Sequence, residues 1–498
     1  MVHIVIEKDN FAYITTGSTN LFNLLLKSFT RITKEYNIHW KRYIDKKTKY
    51  YTLVYNKTTI KVKSGLIQFL INSFDKRNIE YEIVDNRNKP DINLDDIVKK
   101  LNEEIKLRDY QEQAVEAIFS NFYCSVQLMT GSGKSEISAS VIKTYLNKYK
   151  NRAVLYVVPT VRLQTEAKER FEKYGIEVNT KPKTIETGKA NILTYLGLVR
   201  SDLETKYKKS VGVIIYDEVQ HMKAPKFSKI TNKFQDLDMC VGLSATLTEN
   251  IETKYLLNQL NNSDMNVFGS TGYPVYYKSV EETIENKFVL PVEVHVLMNN
   301  LLYNINKNEM DWHKVRQEVL MSDNRTALIS DYIKKVVEEN NYNTVCLLIP
   351  EVKWSQKFML YLRSLYNDDT DVKMYLTYGS NRYDKIVDDK LIPLNENEKV
   401  KALKDIKNPE IKTIFSATSY MYEGIDITNM QALFNVYGGR SSVRVKQQLG
   451  RATRLFENKE KAYIYEICDI TNPMLKSQFY ARMRIYKNEY KADIIVDN

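Results

Sequence analysis

The first 85 residues alternate between short apolar runs and segments whose apolar positions recur at helical spacing. Apolar residues at every third or fourth position predict helices over residues 19–32 and 65–77. Runs rich in β-branched and aromatic residues predict strands over residues 2–7, 38–44, 50–55 and 79–84. This β-α-β-β-α-β order predicts a small α+β domain over residues 1–95, whose sheet carries both helices on one face.

From about residue 105 the pattern changes to short, fully apolar strands separated by helical segments. The first series of predicted strands covers residues 124–128, 153–159, 190–195, 211–218 and 240–246. A second series covers residues 343–350, 371–379, 411–418, 432–438 and 462–467. Continuous apolar strands alternating with helices are typical of parallel, doubly wound sheets. The pattern therefore predicts two α/β domains in tandem, over residues 96–285 and 286–498.

Composition supports folded cores and argues against several classes of protein. The chain is 43% hydrophobic and 27% charged, and it has no uncharged apolar run of the roughly 18–20 residues that span a bilayer. The N-terminus lacks the pattern of a signal peptide. Four scattered cysteines without a CxxC pair predict reduced, buried thiols. We therefore expect a cytoplasmic protein, in the host cytoplasm if a phage encodes it, with no membrane partner.

The positive charge is concentrated near the N-terminus. Residues 27–63 contain eleven lysines or arginines and two acidic residues. Because neutralised phosphates release counterions, this density favours binding to nucleic acid, and we assign DNA contact to Lys41, Arg42, Lys61 and Lys63. The alternative is a solvated, lysine-rich face. Aromatic residues in the same segment could stack on bases, although alternating aromatics in strands are more often part of a core.

The strongest local motif runs from Leu128 to Ser135 with the sequence LMTGSGKS, between a predicted strand and a predicted helix. Glycines let the backbone approach a phosphate, so that its N–H groups and the helix N-terminus face the anion. Lys134 would neutralise the β and γ phosphates of ATP, and Ser135 would bind Mg²⁺. Leu128 stands where the strict pattern has glycine. A Gly-Ser turn with a solvated lysine is the alternative.

A pair of carboxylates follows the apolar strand that ends near Tyr216. Asp217 would hold Mg²⁺ through water, and Glu218 would polarise the water that attacks ATP. A helix N-cap pair would be the structural alternative, but the phosphate loop upstream disfavours it.

The second α/β domain contains Gln447-Gln448-Leu449-Gly450-Arg451-Ala452-Thr453-Arg454. Two arginines three residues apart share one face of a helix. Arg451 and Arg454 could therefore reach the γ-phosphate across an interdomain cleft and stabilise the charge that develops in the transition state. As an isolated motif, this segment would equally fit an exposed basic helix.

Taken in order, these motifs and Ser244-Ala245-Thr246 resemble those of superfamily 2 helicases over roughly residues 105–470. Within that superfamily the chain is most similar to the UvsW-type phage recombination helicases, which also have a small N-terminal domain and an element like Ser322-Asp323-Asn324-Arg325. The family has histidine where this chain has Gln220, and His221 follows. The resemblance implies two tandem RecA-like domains with ATP and Mg²⁺ as cofactors.

The resemblance also implies further site residues. Arg108 and Gln111 correspond to the element that reads adenine, and Ser244 and Thr246 would couple the ATP state to domain closure. Thr160 and Thr194 correspond to motifs that grip the nucleic-acid backbone. The nucleotide set is Arg108, Gln111, Thr130, Gly131, Ser132, Gly133, Lys134, Ser135, Gly424 and Asp426. The catalytic set is Lys134, Glu218, Gln220, Arg451 and Arg454.

The function expected from the residues and the resemblance is ATP-driven translocation or unwinding on branched or forked DNA, by a monomer. Fork regression, branch migration and D-loop unwinding are the reactions typical of such enzymes. Two enzymatic alternatives remain open: an RNA-directed ATPase of the same superfamily, and the double-strand DNA translocase subunit of a larger machine. A DNA-binding protein with a degenerate ATP site is disfavoured, because Lys134, Glu218 and both arginines are present.

Overall fold

A computed structural model describes most of the chain. The described residues are 1–37, 42–54, 58–247, 256–303, 311–366, 371–378, 382–387, 390–418, 427–439 and 441–497. They form two compact units. The first unit consists of Met1–Leu128 and Gly133–Lys278, and the second consists of Met129–Ser132 and Ser279–Asn498. This grouping does not test the predicted division into residues 1–95, 96–285 and 286–498, which stays a prediction. In the described part of the chain, no helix is long and apolar enough to cross a membrane.

The N-terminal region contains seven strands and two helices. The strands are β1 (Val2–Ile6), β2 (Phe11–Thr16), β3 (Thr30–Asn37), β4 (Arg42–Lys49), β5 (Tyr51–Leu53), β6 (Thr59–Lys63) and β7 (Tyr81–Asp85). The helices are α1 (Thr19–Ser28) and α2 (Ile67–Asp75). Five strands form a sheet in the order β5-β6-β2-β1-β7, and β3 pairs with β4 in a separate antiparallel hairpin.

The predicted β-α-β-β-α-β order is wrong, because the sequence pattern missed β2, β3 and β6. In β2, every second residue is buried, but alanine and threonine occupy half of its positions and weaken the apolar signal. The hairpin formed by β3 and β4 is rich in lysine, because most of its side chains face solvent rather than a core. The predicted helices are confirmed, although α1 ends at Ser28.

The first large sheet has seven strands, all paired in parallel, in the order β10-β11-β9-β12-β13-β8-β14. The strands are β8 (Tyr123–Gln127), β9 (Ala153–Val158), β10 (Val178–Asn179), β11 (Ala190–Thr194), β12 (Val211–Tyr216), β13 (Met239–Ser244) and β14 (Tyr273–Tyr277). The helices are α3 (Asp109–Asn121), α4 (Lys134–Lys148), α5 (Val161–Lys173), α6 (Tyr195–Arg200), α7 (Leu203–Tyr207) and α8 (Asn262–Thr271). Strands β9, β12 and β13 are buried at every position, as expected for a sheet covered on both faces.

The N-terminal sheet shares a hydrophobic core with this first large sheet. Phe69 of α2 packs against Phe268 of α8, with ring centroids 5.1 Å apart, and against Tyr273 of β14, at 4.7 Å. These aromatic contacts attach the basic N-terminal region to the first large sheet, within the first unit.

The second large sheet has nine strands in the order β19-β18-β17-β20-β16-β21-β22-β15-β23. The strands are β15 (Val292–Asn299), β16 (Thr344–Leu348), β17 (Lys373–Tyr378), β18 (Arg382–Val387), β19 (Lys390–Pro393), β20 (Thr413–Ala417), β21 (Ala432–Asn435), β22 (Ala462–Asp469) and β23 (Asp493–Asp497). The helices are α9 (Val280–Glu285), α10 (Trp312–Lys314), α11 (Asp323–Glu339), α12 (Val352–Leu365), α13 (Glu396–Lys407), α14 (Ser442–Ala452) and α15 (Pro473–Glu489). Strand β18 pairs antiparallel with both of its neighbours, β17 and β19, and the other described pairings of this sheet are parallel. Two large parallel sheets in tandem confirm the predicted fold class.

All four cysteines are buried and form no disulfide. The prediction of reduced thiols in the core is therefore confirmed.

Candidate functional site

The phosphate loop lies at the carboxyl end of β8, where the chain turns into α4. Gly131 and Gly133 have φ values of +88° and +83°, a left-handed conformation that glycine adopts without strain. Thr130 and Ser132 lie in the same turn, and the Ser132 hydroxyl donates to the Met129 carbonyl at 2.7 Å. Helix α4 begins at Lys134, so the positive end of its dipole faces the loop. The ammonium of Lys134 donates to the Leu128 carbonyl at 3.1 Å. A bound phosphate could replace this carbonyl as the acceptor.

The side chain of Gln111 packs against the phosphate loop. Gln111 is buried in the first turn of α3, and its side-chain carbonyl accepts a hydrogen bond from the backbone N–H of Arg108 at 2.8 Å. A Cβ atom at Gly133 would lie 2.1 Å from Nε2 of Gln111. Arg108 and Gln111, predicted to contact adenine, therefore lie beside the phosphate loop.

The carboxylate pair extends from the end of β12. The backbone N–H of Asp217 donates to the Val157 carbonyl at 2.9 Å, which continues the sheet pairing by one residue. Burial and the neighbouring Glu218 raise the pKa of Asp217 to about 6, while Lys134 and Tyr156 act to lower it. A cation beside Asp217 would offset this cost of burying its negative charge.

Glu218 has a left-handed backbone, with φ at +50°. This conformation is uncommon for a residue with a Cβ, and such residues concentrate at functional sites. Its carboxylate accepts a hydrogen bond from Nε2 of Gln220 at 2.6 Å. Glu218 is therefore held by its neighbour two residues along the chain.

A chain of hydrogen bonds runs from Glu218 to the Ser-Ala-Thr segment. The hydroxyl of Ser244 donates to the side-chain carbonyl of Gln220 at 2.6 Å, and the backbone N–H of Thr246 donates to the Ser244 hydroxyl at 2.9 Å. Gln220, Ser244 and Thr246 are all buried. Glutamine donates with one end of its amide and accepts with the other, so it can connect the carboxylate to the serine.

The sequence did not single out Arg170, which the structure places beside the phosphate loop. One N–H group of Arg170 on α5 donates to the Ser135 hydroxyl at 2.8 Å. Tyr174, the residue that follows this helix, donates to Glu136 at 2.8 Å. Arg170 lies in an ordinary charged stretch of an amphipathic helix, so no local signal marks it.

The oxygen atoms of Ser135 and Asp217 suit Mg²⁺, which prefers hard oxygen ligands together with phosphate and water. In the described part of the chain, no group of three or more His, Cys, Asp or Glu side chains forms a metal cage. Mg²⁺ in phosphate-loop enzymes is held largely by the nucleotide, so two protein oxygens suffice.

Two predicted strand-gripping residues lie at one edge of the first large sheet. Thr160 caps α5 at the end of β9, and its side chain accepts from the Leu163 N–H at 3.3 Å. Thr194 caps α6 at the end of β11, which pairs with β9, and accepts from the Gly197 N–H at 3.0 Å. An accepting hydroxyl still has its own proton to donate to a phosphate.

The basic residues of the N-terminal region differ in their placement. Arg42 is exposed on the hairpin. Lys61 on β6 is partly exposed and pairs with Asp9 at 3.0 Å. Lys63 retains some exposed surface, but its ammonium turns inward and donates to the Ser228 carbonyl and to the Ser270 hydroxyl. Because that ammonium does not face solvent, we do not carry Lys63 into the proposed DNA contacts.

In the second unit, Arg451 lies in the last turn of α14. The helix ends at Ala452, so Arg454 lies after the helix and not on the same helical face as Arg451, which corrects the prediction from spacing. Lys459 donates to the Ala452 carbonyl at 2.6 Å, and burial together with the nearby Arg454 lowers the pKa of Lys459 to about 7. Several cationic side chains therefore share this end of the helix.

The Ser322–Arg325 element has a structural role in the second unit. The Ser322 side chain caps α11, and Arg325 forms a buried ion pair with Asp469 at 2.8 Å. Arg325 also donates to the Val436 carbonyl at 2.9 Å. Lys41, Gly424 and Asp426, which the sequence assigned to DNA and nucleotide binding, lie outside the described residues.

Comparison with known proteins gives consistent matches. Residues 104–249 match the family model described as "Type III restriction enzyme, res subunit". The chain is 25% identical over 386 residues to the DNA 3'-5' translocase XPB2 of Sulfurisphaera tokodaii, which covers 74% of this chain and 82% of that protein.

Solved structures give similar matches. Dbp5 of S. cerevisiae, bound to RNA and ADP BeF3, aligns at 13% identity with a TM-score of 0.52, over 78% of this chain and 90% of that one. UvsW of bacteriophage T4 aligns over 100% of this chain and 99% of that one, at 15% identity and a TM-score of 0.44.

Proposed function

We propose that this chain is a nucleic-acid-dependent ATPase of the superfamily 2 helicases, and that it is an ATP-driven DNA helicase or translocase that acts on branched DNA. The family model matched by residues 104–249 and the similarity to a DNA translocase support this proposal. The observation that supports a nucleic-acid contact outside the ATPase domains is the exposed basic hairpin β3–β4. Translocation along DNA is also what the name of the Sulfurisphaera relative states.

Both faces of the hairpin carry more basic than acidic side chains. Cross-strand pairing places Lys34, Lys47 and Lys49 on one side together with Asp45, and all three lysine side chains are exposed. Exposed lysines on a two-stranded arm suit the phosphates of a duplex, which attract cations regardless of base sequence. Tyr43 lies on the same face and is 69% exposed, so an aromatic ring is available beside the lysines.

The base of the hairpin is held by hydrogen bonds to the segment Leu257–Asn262 of the same unit. Arg31 donates to the carbonyls of Leu257 and Leu260, and the Tyr50 hydroxyl donates to the Asn262 carbonyl at 3.0 Å. An arm held at its base would keep a bound duplex or branch point in a constant position relative to Thr160 and Thr194, which belong to the same unit.

ATP would bind at the phosphate loop with Lys134 on its phosphates, and Ser135 and Asp217 would hold Mg²⁺. The metal, when bound, would supply positive charge that offsets the charge of the phosphates. Glu218, oriented by Gln220, would accept a proton from the attacking water. Arg451 and Arg454 would supply positive charge to the γ-phosphate in the ATP-bound state.

Changes at Glu218 on hydrolysis would reach Ser244 and Thr246 through Gln220, because each residue is hydrogen-bonded to the next. Thr160 and Thr194, at the ends of neighbouring strands, would hold phosphates of the tracked strand. These steps give ATP-dependent movement along one strand.

The test compares ATPase stimulation and unwinding on a four-way DNA junction, linear duplex DNA and RNA. The variant Lys34→Ala/Lys47→Ala/Lys49→Ala should bind the junction more weakly, and its salt dependence should fall by roughly 0.9 in log–log slope for each phosphate that the hairpin no longer neutralises. The control removes three exposed lysines from α13 instead, with Lys401→Ala/Lys404→Ala/Lys407→Ala.

Three results would contradict this proposal in different ways. Equal effects of the two triple variants would remove the hairpin from DNA binding. Stimulation by RNA alone would favour an RNA-directed enzyme. Displacement of a triplex strand without separation of the duplex would favour a double-strand translocase.

A further inference from the structure

An arginine on α5 contacts one of the two proposed Mg²⁺ ligands. Arg170 lies in the last turn of α5, and its Nη1 group donates to the Ser135 hydroxyl at 2.8 Å. A guanidinium group carries only donors, so the Ser135 oxygen is the acceptor in this bond. One of the two lone pairs of that oxygen is therefore engaged by a positively charged side chain.

The end of α5 that carries Arg170 is held against the start of α4. Phe171 is fully buried and packs edge to face against Tyr156 of β9, with ring centroids 5.0 Å apart. The Tyr174 hydroxyl donates to Glu136, in the first turn of α4, at 2.8 Å. These contacts fix the backbone of Arg170 relative to α4.

Arg170 also lies near the second proposed ligand, Asp217. Burial raises the pKa of Asp217, and a hydrogen bond with Tyr156 acts against this rise. Burial raises the pKa of Tyr156 well above its ordinary value, whereas the positive charge of Arg170 acts to lower it. Arg170 is therefore in contact with Ser135 and one side chain away from Asp217.

A cation bound to Ser135 would lie close to the charge of Arg170. Mg²⁺ binds its oxygen ligands at about 2.0–2.1 Å, so it would be no more than about 5 Å from Nη1 while this hydrogen bond persists. Like charges at that separation repel each other, most strongly where water is partly excluded. If the guanidinium turned away instead, metal binding would have to replace the lost hydrogen bond. In either case Arg170 lowers the affinity of this oxygen for a cation.

Nucleotide phosphates would change this balance. Their negative charge attracts Mg²⁺, and their oxygens supply the ion with further ligands. The cation then no longer depends on Ser135 and Asp217 alone, so the repulsion from Arg170 is outweighed.

We propose that Arg170 weakens the binding of a divalent cation at Ser135, so that the cation is held only together with nucleotide phosphates and is released with the products. The inference rests on the proposed function and adds to it a residue that controls the metal. Arg170 differs in this role from Lys134, which belongs to the phosphate loop itself and would neutralise the phosphates.

The test measures the affinity of the full-length protein for Mn²⁺, with and without ADP, from the paramagnetic resonance signal of the free ion. In the wild type, Mn²⁺ binding should require ADP. Arg170→Met removes the charge and should tighten Mn²⁺ binding in the presence of ADP by about tenfold. Arg170→Lys keeps the charge and should stay within a few-fold of the wild type.

Two other variants at the end of α5 are matched controls. Lys173→Met removes an exposed cation from the same turn, and Tyr174→Phe removes the hydrogen bond to Glu136 without changing the charge. Both should bind Mn²⁺ as the wild type does. If Arg170→Met does not fold, Arg170→Gln takes its place, because it keeps an N–H donor for Ser135 without the charge, and it should also bind Mn²⁺ more tightly.

Three results would overturn this role of Arg170: unchanged or weaker Mn²⁺ binding by Arg170→Met, equal effects of Arg170→Met and Arg170→Lys, and wild-type binding of Mn²⁺ that does not need ADP. These titrations contain no nucleic acid. A wild-type ATPase that no nucleic acid stimulates would therefore overturn the proposed function and leave the role of Arg170 in place. A wild type that binds neither ADP nor Mn²⁺ would overturn the ATP site on which both depend.

Discussion

The hydroxyl of Ser244 donates to the side-chain carbonyl of Gln220 at 2.6 Å, although the two residues are 24 positions apart in sequence. The same glutamine donates to Glu218, the proposed base. Gln220 therefore connects Glu218, beside the proposed nucleotide site, directly to the Ser-Ala-Thr segment.

Ser244→Ala should reduce unwinding more than ATP hydrolysis. The substitution leaves the Gln220 carbonyl buried without its donor, a loss of about 1–3 kcal/mol, and it breaks the connection to Thr246. We expect the number of base pairs opened per ATP to fall by about tenfold. Parallel ATPase and unwinding assays check this. Ser140→Ala is the control, because Ser140 is a buried serine that donates to the Val98 carbonyl away from this chain of contacts; an equal deficit in that variant would contradict the prediction.

Gly133→Ala should weaken ATP binding by at least about tenfold. The new methyl group would lie 2.1 Å from Nε2 of Gln111, whose amide is tied to Arg108, and the residue would also be strained at a φ of +83°. A fluorescent ATP analogue measures the affinity. Gly175→Ala carries similar backbone strain, with φ at +73° and no atom within 4 Å of the added methyl group, so it isolates the contact with Gln111. Comparable ATP affinities in the two variants would show that this contact is unimportant.

Lys63→Met should flatten the pH dependence of stability. Burial lowers the pKa of Lys63 from 10.5 to about 7, so between these values the folded state binds fewer protons than the unfolded state. The free energy of unfolding therefore rises with pH between these two values, and Lys63 contributes up to about 1.4 kcal/mol per pH unit to that slope. Below pH 7 Lys63 is protonated in both states, so it contributes nothing to the slope. Denaturant unfolding at several pH values should show that slope disappear in the variant.

Lys61→Met provides the comparison for Lys63. Burial acts to lower the pKa of Lys61, but hydrogen bonds with Tyr13 and Asp9 raise it overall. Lys61 is then protonated in both states up to about pH 10, so its removal should leave the slope unchanged. A similar loss of slope in both variants would argue against Lys63 as its source.

Arg482→Met should destabilise the second unit by about 3–5 kcal/mol, because it leaves the carboxylate of Glu466 buried without its cation. The pair is almost fully buried, with side-chain exposures of 2% and 0% and a separation of 2.6 Å. Adding Glu466→Gln should recover much of the loss, since the neutral amide still accepts from Tyr486. Unfolding in denaturant, followed with a probe in this unit, measures both variants; a double variant as unstable as the single one would contradict the argument from charge.

The large sheets were predictable because their strands are buried on both faces. A run such as β12 is apolar at each position, and its two carboxylates begin where the burial ends. The hairpin β3–β4 gave no such signal, because strands that face solvent need no apolar alternation. The phosphate loop was equally visible, since its glycines and lysine are adjacent in sequence.

Contacts between distant segments could not be predicted from the sequence. Nothing in the neighbourhood of Arg170 indicates that it reaches Ser135, 35 residues earlier in the chain. The position of Arg454 depended on where α14 ends, which the spacing of the two arginines does not show. The inward turn of Lys63 likewise depends on carbonyl groups that only the fold brings to it.

The hairpin is an arm that is attached at one end, through Arg31 and Tyr50, to the segment Leu257–Asn262. Each of its eight-residue strands extends roughly 26 Å from that attachment. A tilt of about 10° at this attachment would move the far end of the hairpin by roughly 4–5 Å, which is more than the spacing of one base pair along a duplex. A small rotation of the first unit would therefore displace the far end of the hairpin by a distance comparable to the repeat of a duplex.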